Sequence, residues 1–312
     1  MRYGVLYAAM AMAVMFTAVS PADAADPVSG SFVYSGGVYT PLAIDAFGLN
    51  DKGQFVGGDI LYSGGVISVL SVPGASFTTT ADGINNAGEI SGNYVRNGQA
   101  HGFTYSGGAY TILDVPGAEN TVAYRVNNLG QVVGFYSNGV TEYGFLDSGG
   151  AFTTLSYPGS ASTDAFGIND EGQIVGEYSV GNKDYAFLYS GGVYTTLSVP
   201  GAVGTQAYGI NNLGQIVGYY FNGVTDYGYL YSGGVYTRLD DPAARSACPP
   251  TSSCLTYDQA SGINNLGQIV GFYTGMEIPE PATWAMMLIG LGVLGARLRG
   301  SRRKQADAVA AG

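Results

Sequence analysis

Short apolar runs separated by turn residues recur along most of the chain. Between residues 184 and 226 the runs YAFLY, VYTTLSV, QAYGIN and QIVGYYF are rich in Val, Ile, Thr, Tyr and Phe. Each run is followed by residues typical of a tight turn: respectively Gly191-Gly192, Pro200-Gly201, Asn211 to Gly214 and Asn222-Gly223. The runs lack the 3.6-residue apolar spacing of a helix. The pattern therefore predicts four short strands joined by tight turns, which is an antiparallel meander.

This meander is repeated. The segment GINNLGQIVG occurs at residues 209–218 and again at 262–271, and four near-copies lie upstream. A second marker, the triplet SGG, steps by 42 residues from Ser106 onward. Fixed self-similarity of this kind indicates a repeat architecture. The first asparagines of the six copies, spaced by 35, 42, 42, 42 and 53 residues, are Asn50, Asn85, Asn127, Asn169, Asn211 and Asn264.

The predicted strands are apolar on both faces, so each meander must be covered on both sides. In the last strand Ile216 and Tyr220 point one way, and Val217 and Tyr219 point the other. Stacking copies of the unit provides the cover. Gly218, between them, fits either a close approach of neighbouring backbone or simple tolerance in a glycine-rich repeat.

The size of the unit predicts the architecture. A repeat of about 40–45 residues with four strands is the size of a propeller blade, and residues 25–276 accommodate six such units. We therefore expect an all-β domain of six four-stranded antiparallel units forming a six-bladed β-propeller. An open stack of β-repeats is the alternative. The first unit lacks the PGA turn, which fits either a degenerate blade or a cap.

The N-terminal residues 1–24 form a predicted signal peptide. Arg2 precedes an apolar run that ends at Val19, and the small residues Ala22 and Ala24 flank Asp23. A charged start, a short apolar core and a small-residue cleavage site are typical of a secretory signal. The run is short for a membrane anchor, so we expect export and cleavage.

The C-terminal residues 277–312 contain the triplet Pro279-Glu280-Pro281, then Trp284, a Gly-rich apolar stretch and an Arg-rich end. The apolar stretch is marginal for a bilayer span, and the basic cluster would hold its end in the cytoplasm. In this order the features resemble the PEP-CTERM sorting signal of Gram-negative bacteria. That resemblance implies transient anchoring of the C-terminal helix in the inner membrane, and processing by an exosortase. Release to the outside of a cell that makes exopolysaccharide would follow.

The repeats resemble extracellular HAF-type repeats, which are named for a His-Ala-Phe triplet. The corresponding triplets begin at His101, Tyr143, Tyr185 and Tyr227, and one of these keeps the histidine. The resemblance rests mainly on the GINNxGQIVG segment and covers residues 31–275. It implies an extracellular location and a repeat fold, and it supplies no catalytic residues.

The charge of the repeat domain excludes several partners. Residues 25–276 contain six basic and 19 acidic residues, within a chain whose net charge is −11. Such a surface repels nucleic acid and anionic membranes. An acidic polysaccharide would need divalent cations to bridge it to the protein.

Candidate catalytic and metal-binding residues are few. His101 is the single histidine, which excludes a multi-histidine metal site. Asp170 and Glu171 are adjacent carboxylates, but they occupy the turn position of Asn212 and Leu213, so we interpret them as turn residues. The turns do not have the spacing of a calcium loop. We therefore predict no catalytic residue, no cofactor and no metal site.

The largest departure from the repeat lies near the end of the domain. The insertion DPAARSACPPTSSC accounts for the final spacing of 53 residues. In a secreted chain, Cys248 and Cys254 within it are expected to form a disulfide that fixes a protruding loop. Insertions into repeats tend to mark the binding face, so this loop is a candidate recognition element.

Two functional classes follow. The first is a non-catalytic, monomeric β-repeat protein, secreted or displayed on the cell surface, that acts as a scaffold or binding module for exopolysaccharide or surface proteins. The second is a secreted carbohydrate-active enzyme that uses carboxylates at the propeller axis. An acidic pair present in one unit and absent from its sisters would favour the enzyme.

Overall fold

The computed structural model describes residues 27–77, 79–181, 183–239 and 257–276. Over these ranges the chain contains β-strands and turns but no helix, and hence no helix that could span a membrane. The first twelve strands are β1 (Pro27–Ser35), β2 (Val38–Leu42), β3 (Gly48–Leu49), β4 (Phe55–Gly57), β5 (Ile60–Ser63), β6 (Val66–Val69), β7 (Thr79–Ile84), β8 (Ile90–Arg96), β9 (Gln99–Ser106), β10 (Ala109–Leu113), β11 (Asn120–Val126) and β12 (Gln131–Ser137). The next twelve are β13 (Glu142–Ser148), β14 (Ala151–Leu155), β15 (Ser162–Ile168), β16 (Ile174–Val180), β17 (Lys183–Ser190), β18 (Val193–Leu197), β19 (Gly204–Ile210), β20 (Ile216–Phe221), β21 (Asp226–Ser232), β22 (Val235–Leu239), β23 (Tyr257–Ile263) and β24 (Ile269–Met276).

Antiparallel pairing divides the strands into six groups of four. Units 1 to 5 are β3–β6, β7–β10, β11–β14, β15–β18 and β19–β22. Unit 6 combines β23 and β24 with β1 and β2. The prediction of four antiparallel strands in each unit is confirmed.

The N-terminal strand completes the last unit. Strand β1 pairs with β24 from Pro27 opposite Met276 to Tyr34 opposite Ile269. The first and last parts of the described chain therefore share one sheet, and the units form a ring. This closure contradicts the open stack. It also explains why the first SGG turn lacks a PGA turn before the next unit, because β1 and β2 belong to unit 6.

The predicted count of separate sheets is wrong. Hydrogen bonds join the strands into four sheets instead of six independent blades: three have four strands, and the fourth has twelve. The large sheet contains units 4, 5 and 6. A single parallel pair, Tyr185 with Thr205, joins β17 to β19, and another, Asp226 with Tyr257, joins β21 to β23. The starts of these inner strands thus approach the preceding unit closely enough to hydrogen-bond to it.

Glycines permit the tight turns and the close approach of paired strands. Gly36 and Gly37, in the hairpin between β1 and β2, have φ angles of 58° and 91°, as a two-residue hairpin turn requires. A Cβ atom on Gly218 would lie 2.0 Å from the Gln206 carbonyl oxygen on the paired strand. The close-approach interpretation of Gly218 is therefore confirmed.

The first strand of each unit lies innermost. Strands β3, β7, β11, β15, β19 and β23 contact their neighbours in an unbroken cycle around an axis. Each of the last five contains a bulge that follows a fully buried alanine, such as Ala165 in β15. Side chains of the second strands, among them Ile174 and Ile216, fill the core between units. The apolar faces of each unit are thus buried against the neighbouring units of the repeat.

Candidate functional site

The turn asparagine of each unit is buried and saturated with hydrogen bonds. In unit 5, Asn211 Oδ1 accepts from the backbone N–H groups of Leu213 (3.1 Å) and Gln215 (3.0 Å). Asn211 Nδ2 donates to Gln215 Oε1 (2.8 Å) and to the carbonyl oxygen of Asn264 in unit 6 (3.0 Å). One side chain therefore shapes its own turn and binds the next unit.

These bonds between units close on themselves. Each turn asparagine donates to the carbonyl oxygen of the next, and Asn264 donates to Asn50 at 3.1 Å. This cycle explains why the decapeptide is repeated, since the short asparagine amide provides both the acceptor for its own turn and the donor to the next unit. We call this surface the asparagine end; the donors in order are Asn50, Asn85, Asn127, Asn169, Asn211 and Asn264.

A second cycle lies beside the first. The backbone N–H of the residue after each turn asparagine donates to the side-chain oxygen of its counterpart in the next unit. Asp170 also accepts from Nδ2 of Asn128 (2.8 Å) and of Asn212 (2.6 Å). Burial alone would raise the pKa of Asp170, but the hydrogen bonds from Asn128 and Asn212 bring it below its ordinary value. The interpretation of Asp170 as a turn residue is confirmed, and the adjacent Glu171 is exposed.

One arginine occupies the axis. Two residues before the turn asparagine, five units have glycine and unit 3 has Arg125. Arg125 lines a small axial cavity, and its Nη2 donates across the ring to the carbonyl oxygens of Phe47 (2.6 Å) and Ser261 (2.7 Å). Burial lowers the pKa of Arg125 to about 10, although Asp82 acts against this shift. The side chain thus ties three units together at the axis.

Asp82, in unit 2, is the carboxylate that faces this arginine. Burial raises its pKa from 3.8 to about 7, while Arg125 and a hydrogen bond from Asn93 Nδ2 (3.0 Å) partly offset the shift. Asp82 stands three residues before the turn asparagine, where four other units have an aromatic residue: Phe47, Tyr124, Phe166 and Tyr208. In unit 2 an acidic residue therefore replaces the aromatic residue that most units have at this position.

Beyond Arg125, toward the starts of the inner strands, the axis is surrounded by aromatic rings. The Phe166 ring centroid lies 5.1 Å from those of both Tyr124 and Tyr208. Tyr124 and Tyr208 in turn contact Phe135 (5.9 Å) and Tyr219 (5.7 Å) on the second strands. All these side chains are partly exposed. We call this surface the aromatic end; it comprises Phe47, Tyr124, Phe135, Phe166, Tyr208, Tyr219 and Phe272 with Asp82, Asp164 and Glu177.

Unit 4 contributes an acidic pair to the aromatic end. Asp164 on β15 lies directly opposite Glu177 on β16 in the antiparallel ladder. Burial raises the pKa of Asp164 to about 7 and that of Glu177 well above its ordinary value, and the surrounding carboxylates raise both further. The pairs at the same register in the other units are Thr80 with Asn93, Val122 with Phe135, Gln206 with Tyr219, and Gln259 with Phe272.

Sequence reasoning missed this pair. Asp164 stands five residues before the turn asparagine and Glu177 eight after it, so 13 positions separate them in the sequence. They become neighbours only through the strand register. Alignment of the six units would have shown that unit 4 alone has two acids in these columns. The pair is the feature that was expected to favour an enzyme.

The remaining sequence predictions have different outcomes. His101 stacks on Tyr94 with ring centroids 5.3 Å apart, and its Nδ1 lies 3.0 Å from Asp114 Oδ2. Among the described residues there is no cluster of three or more His, Cys, Asp or Glu residues able to hold a metal ion. The cleavage site, the disulfide and the sorting triplet lie outside the described residues; they involve Ala22, Ala24, Cys248, Cys254, Pro279, Glu280 and Pro281.

Comparison with known proteins identifies the C-terminal segment. Residues 277–304 match the model of the PEP-CTERM protein-sorting motif. The motif indicates an exosortase-sorted extracellular protein, secreted or displayed on the surface through the membrane of a Gram-negative cell. No curated protein matches the chain.

Among solved structures, the chain is similar to a triple arginine-to-alanine mutant of AofleA from Arthrobotrys oligospora. The identity is 13%, the match covers 81% of each chain, and the TM-score is 0.41.

Proposed function

We propose that this protein is a non-catalytic extracellular binding module that takes a saccharide at the aromatic end. Each four-stranded unit acts as one blade of a closed six-unit propeller, and the cycle of turn asparagines supports this interpretation. The sorting motif at residues 277–304 delivers the domain outside the cell. We propose that the protein acts in the polysaccharide matrix that surrounds such cells.

The observation that carries the proposal is the arc of aromatic rings at one open end of the axis. The contacts of Tyr124, Phe166 and Tyr208 extend over three consecutive units, and all three side chains are partly exposed. Aromatic faces bind the apolar C–H faces of sugar rings, while nearby carboxyl and amide groups accept hydrogen bonds from hydroxyl groups. The asparagine end lacks this character, because its polar groups already bond to one another.

A binding measurement tests the site. The exported protein, collected from the medium of a host with an exosortase, would be applied to an array of bacterial and plant polysaccharides. Phe166→Ala should weaken binding to every glycan that the parent protein binds on the array by at least tenfold. The matched control is Phe152→Ala, which removes the same side chain from a partly buried position on an outer strand. Equal binding by Phe166→Ala and the parent would exclude the aromatic end as the site.

A second candidate function is a carbohydrate-active enzyme, which the Asp164–Glu177 pair favours. Directly opposite residues on antiparallel strands have Cβ atoms about 4.5–5.5 Å apart, and a glycosidase needs two carboxyl groups about 5–10 Å apart. However, such catalysis requires one carboxyl to be protonated while the other is ionised, and burial raises the pKa of both. We therefore place binding first. Release of shorter oligosaccharides by the parent but not by Glu177→Gln would reverse this order.

The sorting function is tested in the same host. Replacement of Pro279, Glu280 and Pro281 by alanine should prevent processing, so a longer form should remain with the membrane. The measurement is the mass and cell fraction of the protein. Unchanged mass and unchanged release of the triple variant would contradict sorting by an exosortase.

A further inference from the structure

The acidic pair of unit 4 has acceptors that the protein leaves unsatisfied. Asp164 Oδ1 and Glu177 Oε2 are shielded from solvent and have no hydrogen-bond partner. The side chains as a whole are still partly exposed at the aromatic end, so a rotation of either carboxyl group would turn its shielded oxygen toward a ligand bound there. The Gln206 side chain hydrogen-bonds to Glu177, which leaves the second carboxyl oxygen without a donor. Shielded acceptors without donors cost free energy, and a bound donor would remove that cost.

The charges that surround the pair are negative. Glu142 and Asp184 act on both Asp164 and Glu177, and both are carboxylates. The guanidinium of Arg125 is engaged by the carbonyl oxygens of Phe47 and Ser261. A cationic donor is therefore the group that best complements this part of the surface.

We propose that Asp164 and Glu177 bind a protonated primary amine, and that the saccharide taken at the aromatic end is an amino sugar with a free amine. An ammonium group has three N–H donors, enough to satisfy both unpaired carboxyl oxygens at once. Burial raises the pKa of the Tyr124 phenol, and both carboxyl groups lie close enough to raise it further, so its ring is a further candidate contact for the same cation. This inference rests on the proposed function, because it names the class of saccharide.

A divalent cation fits the pair less well. Calcium takes about 6–8 oxygen ligands, whereas the described residues hold no group of three or more acidic, histidine or cysteine side chains in metal-binding arrangement. One ammonium matches two carboxyl groups without further protein ligands. The geometry therefore favours the organic cation.

The experiment compares two tetrasaccharides that differ only at the nitrogen. Isothermal titration calorimetry at pH 7 measures binding of the glucosamine tetramer and of the N-acetylglucosamine tetramer to the exported protein, with n-butylammonium and calcium chloride as further probes. The variant Asp164→Asn with Glu177→Gln removes the charges at nearly constant shape. The control Glu171→Gln removes one acid at the asparagine end.

We expect the parent and Glu171→Gln to bind the glucosamine tetramer at least tenfold more tightly than the acetylated one, and the double variant to lose that difference. Equal affinity for the two tetramers, with both lost in Phe166→Ala, would overturn the ammonium site and leave the proposed saccharide site standing. Binding of n-butylammonium that depends on Asp164 and Glu177, without binding of either tetramer, would support the ammonium site and reject the saccharide. Calcium binding that depends on the pair, or no binding of any probe, would overturn the inference.

Discussion

The two ends of the ring differ in how fully their polar groups are hydrogen-bonded, although the same six repeats form both ends. At the asparagine end, each turn asparagine accepts from its own turn and donates to the next unit. At the aromatic end, the corresponding columns differ from unit to unit, and two carboxyl oxygens, on Asp164 and Glu177, have no partner. The uniform end holds the ring together, whereas the variable end has the unsatisfied groups that a ligand would bind.

The axis shows the same contrast on a smaller scale. Five units have glycine before the turn, and their backbones pack closely around the axial cavity. Arg125, the single departure, crosses the ring to bind Phe47 and Ser261. A departure from the repeat can therefore be structural as well as functional. A residue found in one unit only is structural when its polar groups are hydrogen-bonded within the protein, as in Arg125. It is a candidate for ligand binding when they are not, as in Asp164 and Glu177.

The largest effect is expected from removal of a whole unit. Deletion of residues 169–210 should abolish folding, because five units would have to repack every junction and close both asparagine cycles at a new angle. An open stack would lose only one repeat and its interface. Circular dichroism and size-exclusion chromatography provide the measurement. A monomeric five-unit protein that melts only slightly below the parent would contradict the closed ring.

Breaking one link of the asparagine cycle should have the next largest effect. Asn211→Ala leaves the N–H groups of Leu213 and Gln215 and the carbonyl of Asn264 without their partner. We expect the free energy of unfolding to fall by roughly 3–4 kcal/mol, the low end for three unsatisfied groups at about 1–3 kcal/mol each, because the two N–H groups are only part-buried. Urea denaturation measures the change. Leu213→Ala, in the same turn but 71% exposed, is the control and should change little.

Loss of the hydrogen bonds that Arg125 makes across the axis should have a smaller effect on stability. Arg125→Gly restores the glycine of the other units and leaves two part-buried carbonyl oxygens without this donor, so it should cost about 2–3 kcal/mol, the low end for two such groups. Because Arg125 lowers the pKa of Asp82, its removal should raise that pKa above about 7. Carboxyl-carbon NMR titration measures the shift. Arg125→Lys keeps the charge and should shift it less; an unchanged pKa in Arg125→Gly would argue against this pairing.

The last prediction concerns the pH dependence of stability. Burial raises the pKa of Asp164 in the folded protein from 3.8 to about 7, so between these values the folded state holds a proton that the unfolded state has released. The free energy of unfolding contributed by this group therefore falls as pH rises from about 4 to 7 and is constant above that. Asp164→Asn should show a shallower decline than the parent, because the raised pKa values of Asp82 and Glu177 remain, while Glu171→Gln should match the parent. Parallel stability curves for the parent and Asp164→Asn would show that Asp164 is not perturbed.

Much of the architecture could be predicted from the sequence, because it depends on local rules. The Gly-Gly, Pro-Gly and Asn-Gly turns delimit the strands, and the period of 42 residues delimits the units. The number of sheets could not be predicted in this way. Single parallel bridges such as Tyr185 with Thr205 depend on how closely neighbouring units approach, and the repeat pattern does not encode that distance.

The candidate site was harder to predict for a related reason. Asp164 and Glu177 meet across a ladder whose register includes a bulge after Ala165, and a shift of one residue would send one of them to the opposite face. The aromatic column of Tyr124, Phe166 and Tyr208 was visible in the sequence as separate letters in three repeats. Only the packing of neighbouring units brings these residues together at one end of the axis.

The central claim is that stability resides at the asparagine end and ligand binding at the aromatic end. The most direct test measures urea denaturation and saccharide binding on the same two variants, Asn211→Ala and Phe166→Ala, at a temperature where both are folded. The account predicts that Asn211→Ala loses stability and retains affinity, while Phe166→Ala loses at least tenfold in affinity and little stability. Equal losses of both properties in the two variants would contradict it.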